Sequence, residues 1–368
     1  MKYSIVFPCK NEAKTIGTCI KKVRETFKKL RIIDYEIIVV DNNSRDKSSS
    51  IAQELNAKVV KEKCQGYGAA LKKGFSEAKG DYIIMCDADN TYDLLELPKL
   101  LKYDNYDIVM GHRKYIDKGA MSFTHKIGNL TLNGILRSFF NINVKDSHSG
   151  FRIIKKSALN KMKLQSHGME LASEILMQAS ILKLKIKEVP IHYANRVGQS
   201  KLQSIPDGWK HLRLMLLYSP NRLYLIPGLS LLITGLALMI LMMFGPVMLF
   251  GITFQLHPIF LGGLMVIVGY QIIMLWLYTR IYLHNMFRDK FVLKILEKLR
   301  LEHGLSLGIL FIILGLAANA WLLWQWIATG YGALDIKTSL IGLIIIVLGM
   351  QTFFGSFYLS ILGLQNER

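Results

Sequence analysis

Two aspartates one residue apart, Asp87 and Asp89, are the residues whose types and spacing most directly suggest chemistry. They follow an apolar run from Tyr82 to Cys86, which has the length and composition of a buried strand. Carboxylate oxygens at the end of a strand can hold a hard divalent cation, and that cation can hold a diphosphate. The pattern therefore favours a substrate activated by a nucleotide. For an isolated Asp-x-Asp the alternative is a solvated acidic turn.

The elements around this pair alternate between strand and helix signals up to about Asp104. Such alternation predicts an α/β fold with a parallel sheet covered by helices on both faces. Ligands of these sheets bind beyond the carboxyl ends of the strands, where Pro8–Glu12, Asp41–Ser44 and Asp87–Asp89 all lie. The predicted strands are Ser4–Phe7, Glu36–Val40, Lys58–Lys61 and Tyr82–Cys86, and the predicted helices are Thr15–Leu30, Ser48–Leu55 and Tyr67–Ala78.

The composition changes at Leu223, after which four apolar runs are long enough to cross a bilayer, which takes ~20 residues. None contains Asp, Glu, Lys or Arg, so the sequence predicts an α-helical transmembrane domain and argues against an ion-coupled transporter. The runs are Leu223–Met243, Pro258–Tyr278, Leu305–Ile327 and Ser339–Leu362. The predicted plan is a catalytic domain at 1–204, a juxtamembrane amphipathic helix at 205–222, two spans in 223–282, a basic amphipathic helix at 283–303 and two spans in 304–364.

The formal net charge of +19 belongs mostly to the first 222 residues, because residues 223–368 hold 8 Lys and Arg against 5 Asp and Glu. A basic domain indicates a phosphorylated substrate, anionic lipid or nucleic acid. Nucleic acid is disfavoured, since no recognition motif or aromatic stacking series is present. Basic residues precede the first span and separate the second from the third, so both chain ends and the catalytic domain are predicted to be cytoplasmic. The four cysteines lack metal or disulfide spacing, which is typical of reduced core residues.

Taken in order, the motifs of the first 217 residues resemble those of family 2 glycosyltransferases of the GT-A fold. That resemblance implies a Rossmann-like domain with a mixed, mostly parallel sheet. The resemblance is closest to polyprenyl-phosphate glycosyltransferases, such as dolichyl-phosphate mannose synthase and the bactoprenol glucosyltransferases, including members with four transmembrane helices. The matching segments are Phe7–Glu12, Val39–Asp46, Gly66–Ala70, Gly80–Asp89, Gly111–Arg113, Asp146–Arg152 and Arg196–Lys201.

The resemblance implies a nucleotide-sugar donor and a Mg²⁺ or Mn²⁺ cofactor, both of which suit oxygen ligands. It assigns the metal to Asp87, Asp89 and Thr91. It assigns the nucleotide sugar to nine residues: Pro8, Asn11, Glu12, Asp41, Ser44, Gly66, Gly68, Asp87 and Ala88. The alternatives are a helix cap before Thr15 for Asn11 and Glu12, and a plain turn for the two glycines.

The acceptor implied by the resemblance is a polyprenyl phosphate, undecaprenyl or dolichyl. A phosphate monoester is already ionised, so it needs positive charge to hold it rather than a general base. Arginine suits this role because its guanidinium binds phosphate through two donors. The implied acceptor contacts are Arg113, Arg196, Ser200 and Lys201, and the implied catalytic residues are Asp89, Asp146 and Arg152. Lys126 is a further acceptor candidate by its charge, in a helix-like stretch without a motif match. Asp146 could orient a basic residue, lie near the sugar, or simply pair with Arg152.

The expected reaction is an inverting transfer of one sugar from a UDP- or GDP-sugar on the cytoplasmic membrane face. One alternative is transfer to a lipid hydroxyl. A processive polysaccharide synthase is another, although the Gln-x-x-Arg-Trp motif of that family is absent. A third is a non-enzymatic lipid-carrier flippase or scaffold. Membrane lipids are expected partners, and self-association into a homo-oligomer is a further hypothesis.

Overall fold

The computed structural model describes residues 2–120, 123–198, 204–249, 252–254, 256–287, 301–331 and 335–364. Two compact units divide the chain, Met1–Tyr218 and Ser219–Arg368.

A single sheet forms the centre of the first unit. Its strands, in the part of that unit that the structure describes, are β1 (Tyr3–Cys9), β2 (Tyr35–Asp41), β3 (Lys58–Lys61), β4 (Tyr82–Met85), β5 (Ile108–Ile116), β6 (Arg152–Lys155) and β7 (Ile186–Tyr193). They are arranged in the order β3-β2-β1-β4-β6-β5-β7. β6 is antiparallel to both β4 and β5, and the other pairs are parallel. This is the mixed, mostly parallel sheet that the sequence predicts.

Helices pack on both faces of the sheet. Within the described residues of this unit they are α1 (Ile16–Lys29), α2 (Ser48–Glu54), α3 (Tyr67–Glu77), α4 (Leu97–Leu101), α5 (Phe123–Phe140), α6 (Lys156–Leu159), α7 (Leu171–Ile181) and α8 (Ser204–Leu217), with a 3₁₀ turn at Leu94–Glu96. The predicted ends of the first three helices and first four strands are confirmed to within two residues.

Burial on both faces explains why the strands are continuous apolar runs rather than alternating ones. In β1, Ile5 and Phe7 belong to the cluster beneath α1 and α2, whereas Val6 between them belongs to the cluster beneath α3 and α7. All three side chains are fully buried. On α1, the apolar face that includes Ile16 and Phe27 is likewise fully buried.

The apolar side of helix α8 packs against the rest of the first unit. Met215 of α8 lies in one cluster with Leu136 of α5 and Met177 of α7, and all three are fully buried. The helix occupies most of segment 205–222, for which the sequence predicts an amphipathic helix. Its opposite, polar side is free to take part in the cleft described below.

The second unit is helical. In its described residues the structure has α9 (Ile226–Met243), preceded by a π-helical turn at Asn221–Leu225, then α10 (His257–Phe287), α11 (Leu301–Ala328) and α12 (Ile336–Leu364), with a hairpin of β8 (Val247–Leu249) and β9 (Ile252–Phe254) between α9 and α10. By length and composition, four helices among the described residues can each cross a membrane, which confirms the four predicted spans. Most of the predicted basic helix at 283–303 lies outside the described residues.

Glycines let α11 and α12 pack closely. A Cβ added to Gly315 would lie 2.5 Å from the carbonyl oxygen of Gly342, and one added to Gly308 would lie 2.9 Å from that of Gly349. Lipid tails are as apolar as these helices, so the hydrophobic effect does not drive the helices together. Close packing of backbones at small residues favours their association instead.

Candidate active site

The strand directions bring four polar segments to one edge of the sheet. The parallel strands β1, β2 and β4 end there, and Pro8–Glu12, Asp41–Ser44 and Asp87–Asp89 lie at or just after their carboxyl ends. Because β6 is antiparallel, the segment that precedes it, Asp146–Phe151, reaches the same edge. A cleft of about 520 Å³ opens at this edge.

The loops after β1 and β2 hold each other by side-chain bonds. The backbone N–H of Asn11 donates to Ser44 Oγ at 3.1 Å, and Arg45 donates its N–H to Asn11 Oδ1 at 2.7 Å. Asp41 accepts from the N–H of Ser44 at 2.9 Å and from Ser49 Oγ at 2.8 Å. Burial raises the pKa of Asp41, but these bonds outweigh it and hold the pKa below its usual value. Asn11 lines the cleft, whereas Asp41 and Ser44 support its wall from behind.

The two predicted glycines allow one loop to approach another. Gly66 has a φ of 145°, and a Cβ there would lie 2.1 Å from the carbonyl oxygen of His167. A Cβ on Gly68 would lie 2.7 Å from the carbonyl oxygen of Ser166. The glycines therefore seat α3 against the loop before α7, and Gly66 also lines the cleft.

The carboxylate pair faces the cleft. Tyr67 donates its hydroxyl to Asp87 Oδ1 at 2.9 Å, and Thr91 donates its hydroxyl to Asp89 Oδ1 at 2.6 Å. Burial, and then the charge of Asp89, raise the pKa of Asp87 to about 7. Asp89 is buried and Asp87 is partly buried, and a cation bound between them would offset the effect of the Asp89 charge on Asp87. Their oxygens suit Mg²⁺ or Mn²⁺. Thr91 is almost fully buried and orients Asp89 rather than lining the cleft.

Arg196 brings a positive charge to this pair. Its Nη2 lies 2.7 Å from Glu12 Oε1, and its Nη1 lies 3.2 Å from Asp89 Oδ2. The guanidinium thus joins the first predicted loop to the predicted metal carboxylate across 184 residues of sequence.

Asp146 pairs with Arg113, and the suggested pairing with Arg152 is wrong. Arg113 donates from Nε to Asp146 Oδ2 and from Nη2 to Asp146 Oδ1, both at 2.7 Å. Burial opposes ionisation of Asp146, but the bonds and charge of Arg113 lower its pKa to about 2. Arg113 lines the cleft with Tyr193, whose ring centroid lies 5.1 Å from the guanidinium carbon.

Arg152 does not reach the cleft. Its side chain is fully buried, and it donates to the carbonyl oxygens of Ser149, Ala172 and Ser147 at 3.0, 2.8 and 2.6 Å. Its position gives it a structural part, tying the segment before β6 to α7, in place of the predicted substrate contact.

Nine of the predicted site residues line the cleft. Those that line the cleft are Pro8, Asn11, Glu12, Gly66, Asp87, Ala88, Asp89, Arg113 and Arg196. Asp41, Ser44, Gly68, Thr91, Asp146 and Arg152 lie behind this lining. Ser200 and Lys201 lie outside the described residues, and so does the side chain of Lys126.

Sequence reasoning missed several residues of the lining. Three tyrosines, Tyr67, Tyr92 and Tyr193, close the cleft around the carboxylate pair, and a signal was available for Tyr67 because it stands between the two motif glycines. Further missed residues of the lining include Asn42, His148, Asp207, Lys210 and His211. The last three lie on α8, where the amphipathic pattern suggests a membrane surface and gives no sign of a ligand.

Two family descriptions match this chain. Residues 4–163 match glycosyl transferase family 2, and residues 277–363 match the glycosyltransferase family 2 C-terminal transmembrane region. Together with the four apolar helices, these matches mark an integral membrane protein.

Relatives extend the likeness over nearly the whole chain. A low-salt glycan biosynthesis hexosyltransferase of Haloferax volcanii is 36% identical over 98% of this chain and 89% of its own. A dolichyl-phosphate hexose transferase of the same organism is 29% identical over 56% of this chain and 88% of its own. A dolichol-phosphate mannosyltransferase of Pyrococcus furiosus is 30% identical over 55% of this chain and 60% of its own.

Among solved structures, the mannosyl-3-phosphoglycerate synthase of Rubrobacter xylanophilus has a TM-score of 0.51 at 17% identity, over 59% of this chain and 73% of that one. Similarity at this identity shows a shared fold, and it agrees with the predicted GT-A arrangement of the first unit.

Proposed function

This chain belongs to glycosyltransferase family 2, and from that premise we propose that its cleft transfers one sugar from a nucleotide sugar to the phosphate of a polyprenyl phosphate. The observation that carries the proposal is the carboxylate pair Asp87 and Asp89, which lines a cleft together with two arginines. Two relatives carry dolichyl or dolichol phosphate in their names, so dolichyl phosphate is the first acceptor to test.

The donor end of the cleft is formed by Pro8, Asn11, Glu12, Asn42 and Gly66. We assign the nucleoside to this end and the diphosphate to the neighbourhood of the carboxylate pair. Asp87 and Asp89 would hold Mg²⁺ or Mn²⁺, which neutralises the diphosphate as it leaves. Tyr67 and Thr91 each donate to one oxygen of this pair, which keeps the carboxylates oriented towards the cleft.

The acceptor end contains the positive charge that a phosphate requires. Arg113 and Arg196 line this end, and Asp146 holds Arg113 by two hydrogen bonds. A phosphate oxygen forms the new bond to the anomeric carbon while the bond from that carbon to the nucleoside diphosphate breaks. The phosphate monoester is already ionised, so no side chain needs to remove a proton from it. A single displacement of this kind inverts the anomeric configuration.

The positions of the basic residues support a cytoplasmic location for the first unit and both chain ends. Lys210, Arg213 and Arg222 precede the first span, and the segment between the second and third spans is also basic. Between the third and fourth spans, by contrast, residues 328–338 contain one basic residue, Lys337. The polyprenyl tail would enter the bilayer beside these spans, with its phosphate at the cytoplasmic surface. Self-association is compatible with this arrangement.

The proposal is tested with the purified full chain in detergent, given Mg²⁺, a panel of radiolabelled UDP- and GDP-sugars, and dolichyl or undecaprenyl phosphate. We expect label from one donor in the organic phase, and a loss of at least about 100-fold in Asp89→Asn. Asp117→Asn is the matched control, because Asp117 is a half-exposed carboxylate paired with His192 and lies outside the cleft lining. Failure of every donor with both lipids, or full activity in Asp89→Asn, would refute the proposal.

A further inference from the structure

His148 is a part of the cleft wall to which no role has been given so far. It lies in the segment just before β6, on the side of the carboxylate pair away from the loops after β1 and β2. It lines the cleft together with Arg113 and His211. The ring of His211 packs edge-on against it, with 4.4 Å between the ring centroids and 70° between the planes.

The neighbours of His148 determine which ring nitrogen carries hydrogen. Asn129 donates from Nδ2 to Asp146 Oδ1 at 3.2 Å, which fixes the orientation of its amide. Asn129 Oδ1 therefore faces His148 Nδ1, at 3.0 Å. An amide oxygen can only accept, so Nδ1 of His148 carries a hydrogen, and in the neutral ring Nε2 then carries a lone pair. Ser147 Oγ, 2.9 Å from the same Nδ1, is compatible with this tautomer.

The lone pair on His148 Nε2 is buried and lacks a donor among the described protein atoms. Burial, and then the proximity of His211, lower the pKa of His148 well below its usual range, so the ring stays neutral. The adjacent ring is also anchored, because His211 Nδ1 lies 2.7 Å from Ser173 Oγ. A buried acceptor of this kind is costly unless a partner supplies a hydrogen.

The chemistry of the possible ligands narrows the choice of partner. An ionised diphosphate and a phosphate dianion offer only acceptor oxygens. These oxygens and the lone pair of His148 Nε2 repel each other. The hydrogen donors of a nucleoside belong at the β1 and β2 loops, on the other side of Asp87 and Asp89. The remaining donors are the hydroxyl groups of the transferred sugar, which lies between the diphosphate and the acceptor.

We propose that His148 Nε2 accepts a hydrogen bond from one hydroxyl group of the transferred sugar and thereby determines part of the donor specificity. This inference rests on the proposed glycosyl transfer. His211 is a positioning residue in this account, since it holds the ring of His148 through the edge-on contact. A site built to bond a hydroxyl group rejects an analogue that lacks it far more strongly than an apolar wall does.

The test combines a change in the protein with a change in the substrate. Once the donor panel has identified the sugar, kcat/KM is measured for that donor and for a series of its monodeoxy analogues. In the wild-type chain we expect a loss of about tenfold or more at the position that His148 bonds. In His148→Phe the penalty at that one position should fall to near unity, while the penalties at other positions remain.

Two further variants keep the result interpretable. His148→Gln retains an acceptor and should restore part of the discrimination at the same position, even if His148→Phe folds poorly. His192→Phe is the matched control, because His192 lies outside the cleft lining and should keep the wild-type profile. Equal penalty profiles in the wild type, His148→Phe and His148→Gln would overturn the inference while leaving glycosyl transfer established. A wild-type chain that transfers no sugar would overturn the proposed function, and this inference with it.

Discussion

The buried pair of Arg113 and Asp146 illustrates how one carboxylate can shape a site without touching the substrate. Asp146 is almost fully buried, and both of its oxygens accept from the guanidinium of Arg113. Asp146 also accepts from Asn129, which orients His148. Asp146 thus positions two groups of the cleft wall. One is the guanidinium of Arg113, and the other, through Asn129, is the neutral imidazole of His148.

Replacing Asp146 by Asn should therefore damage stability and activity together. Arg113 would remain buried without its counter-charge, and breaking a buried ion pair from one side costs about 3–5 kcal/mol. Urea unfolding of the full chain can be followed by the reactivity of Cys9, Cys19 and Cys86, which are buried in the first unit. Asp117→Asn removes a partly exposed carboxylate and should unfold like the wild type. Unchanged unfolding in Asp146→Asn would mean that the pair does not stabilise the domain.

The sequence could not show which arginine Asp146 contacts, because Arg152 lies in the same motif whereas Arg113 lies 33 residues away. The alternation of β6 decides the matter. Phe151 and Ile153 face the cluster beneath α1, so Arg152 points to the opposite face, under α7. Arg113, in β5 next to β6, remains on the side of the cleft. The carboxylate pair was easier to predict, because Asp87 and Asp89 come directly after an apolar strand and the whole pattern is local in sequence.

At the scale of elements, the junction between β4 and β6 depends on a glycine. A Cβ added to Gly150 would lie 2.4 Å from Asp87 Oδ2, and the N–H of Gly150 donates to Tyr92 Oη at 2.7 Å. Gly150→Ala should push Asp87 from its position, weakening the apparent metal affinity at least tenfold while the domain stays folded. The measurement is transfer rate against Mg²⁺ concentration. Gly134→Ala meets open space and should keep the wild-type metal dependence. Normal metal dependence in Gly150→Ala would show that the junction tolerates a methyl group.

The contact of α8 with α7 should make stability sensitive to pH. Burial lowers the pKa of His211 to about 4, below the value of about 6.5 expected in the unfolded chain. The unfolded state then binds more protons between these values, so stability is complete above pH 6.5 and declines as pH falls towards 4. Thiol reactivity in urea should show a smaller decline for His211→Gln than for the wild type. The control is His192→Gln, because His192 is partly exposed, and its stability should fall with pH as in the wild type. Identical stability curves for all three chains would contradict the role given to His211.

The role of α8 was the least accessible part of the fold from sequence. Its helical spacing of apolar residues predicts a helix with one buried side, and the structure has a helix at Ser204–Leu217. The same pattern fits a membrane surface and a cleft wall equally well. The packing of Met215 against α5 and α7 distinguishes them, and those contacts join residues distant in sequence.

At the scale of the whole molecule, the cysteines provide a test of the proposed orientation. Cys64 is exposed, whereas the other three cysteines are buried in the first unit. A membrane-impermeant maleimide should label Cys64 in inverted membrane vesicles and not in intact cells. Cys64→Ser should abolish the labelling and confirm its position. Labelling of Cys64 in intact cells would place the first unit on the outer face.

The central claim, that the new bond forms at a lipid phosphate, is tested most directly by the mass spectrum of the lipid product. Purified full chain, Mg²⁺, the identified donor and dolichyl phosphate are incubated, and the lipid fraction is fragmented. Transfer to the phosphate gives a phosphodiester, a lipid phosphate carrying one sugar, whose fragments keep the sugar attached to phosphate. A sugar found on a lipid hydroxyl, with the phosphate monoester unchanged, would contradict it.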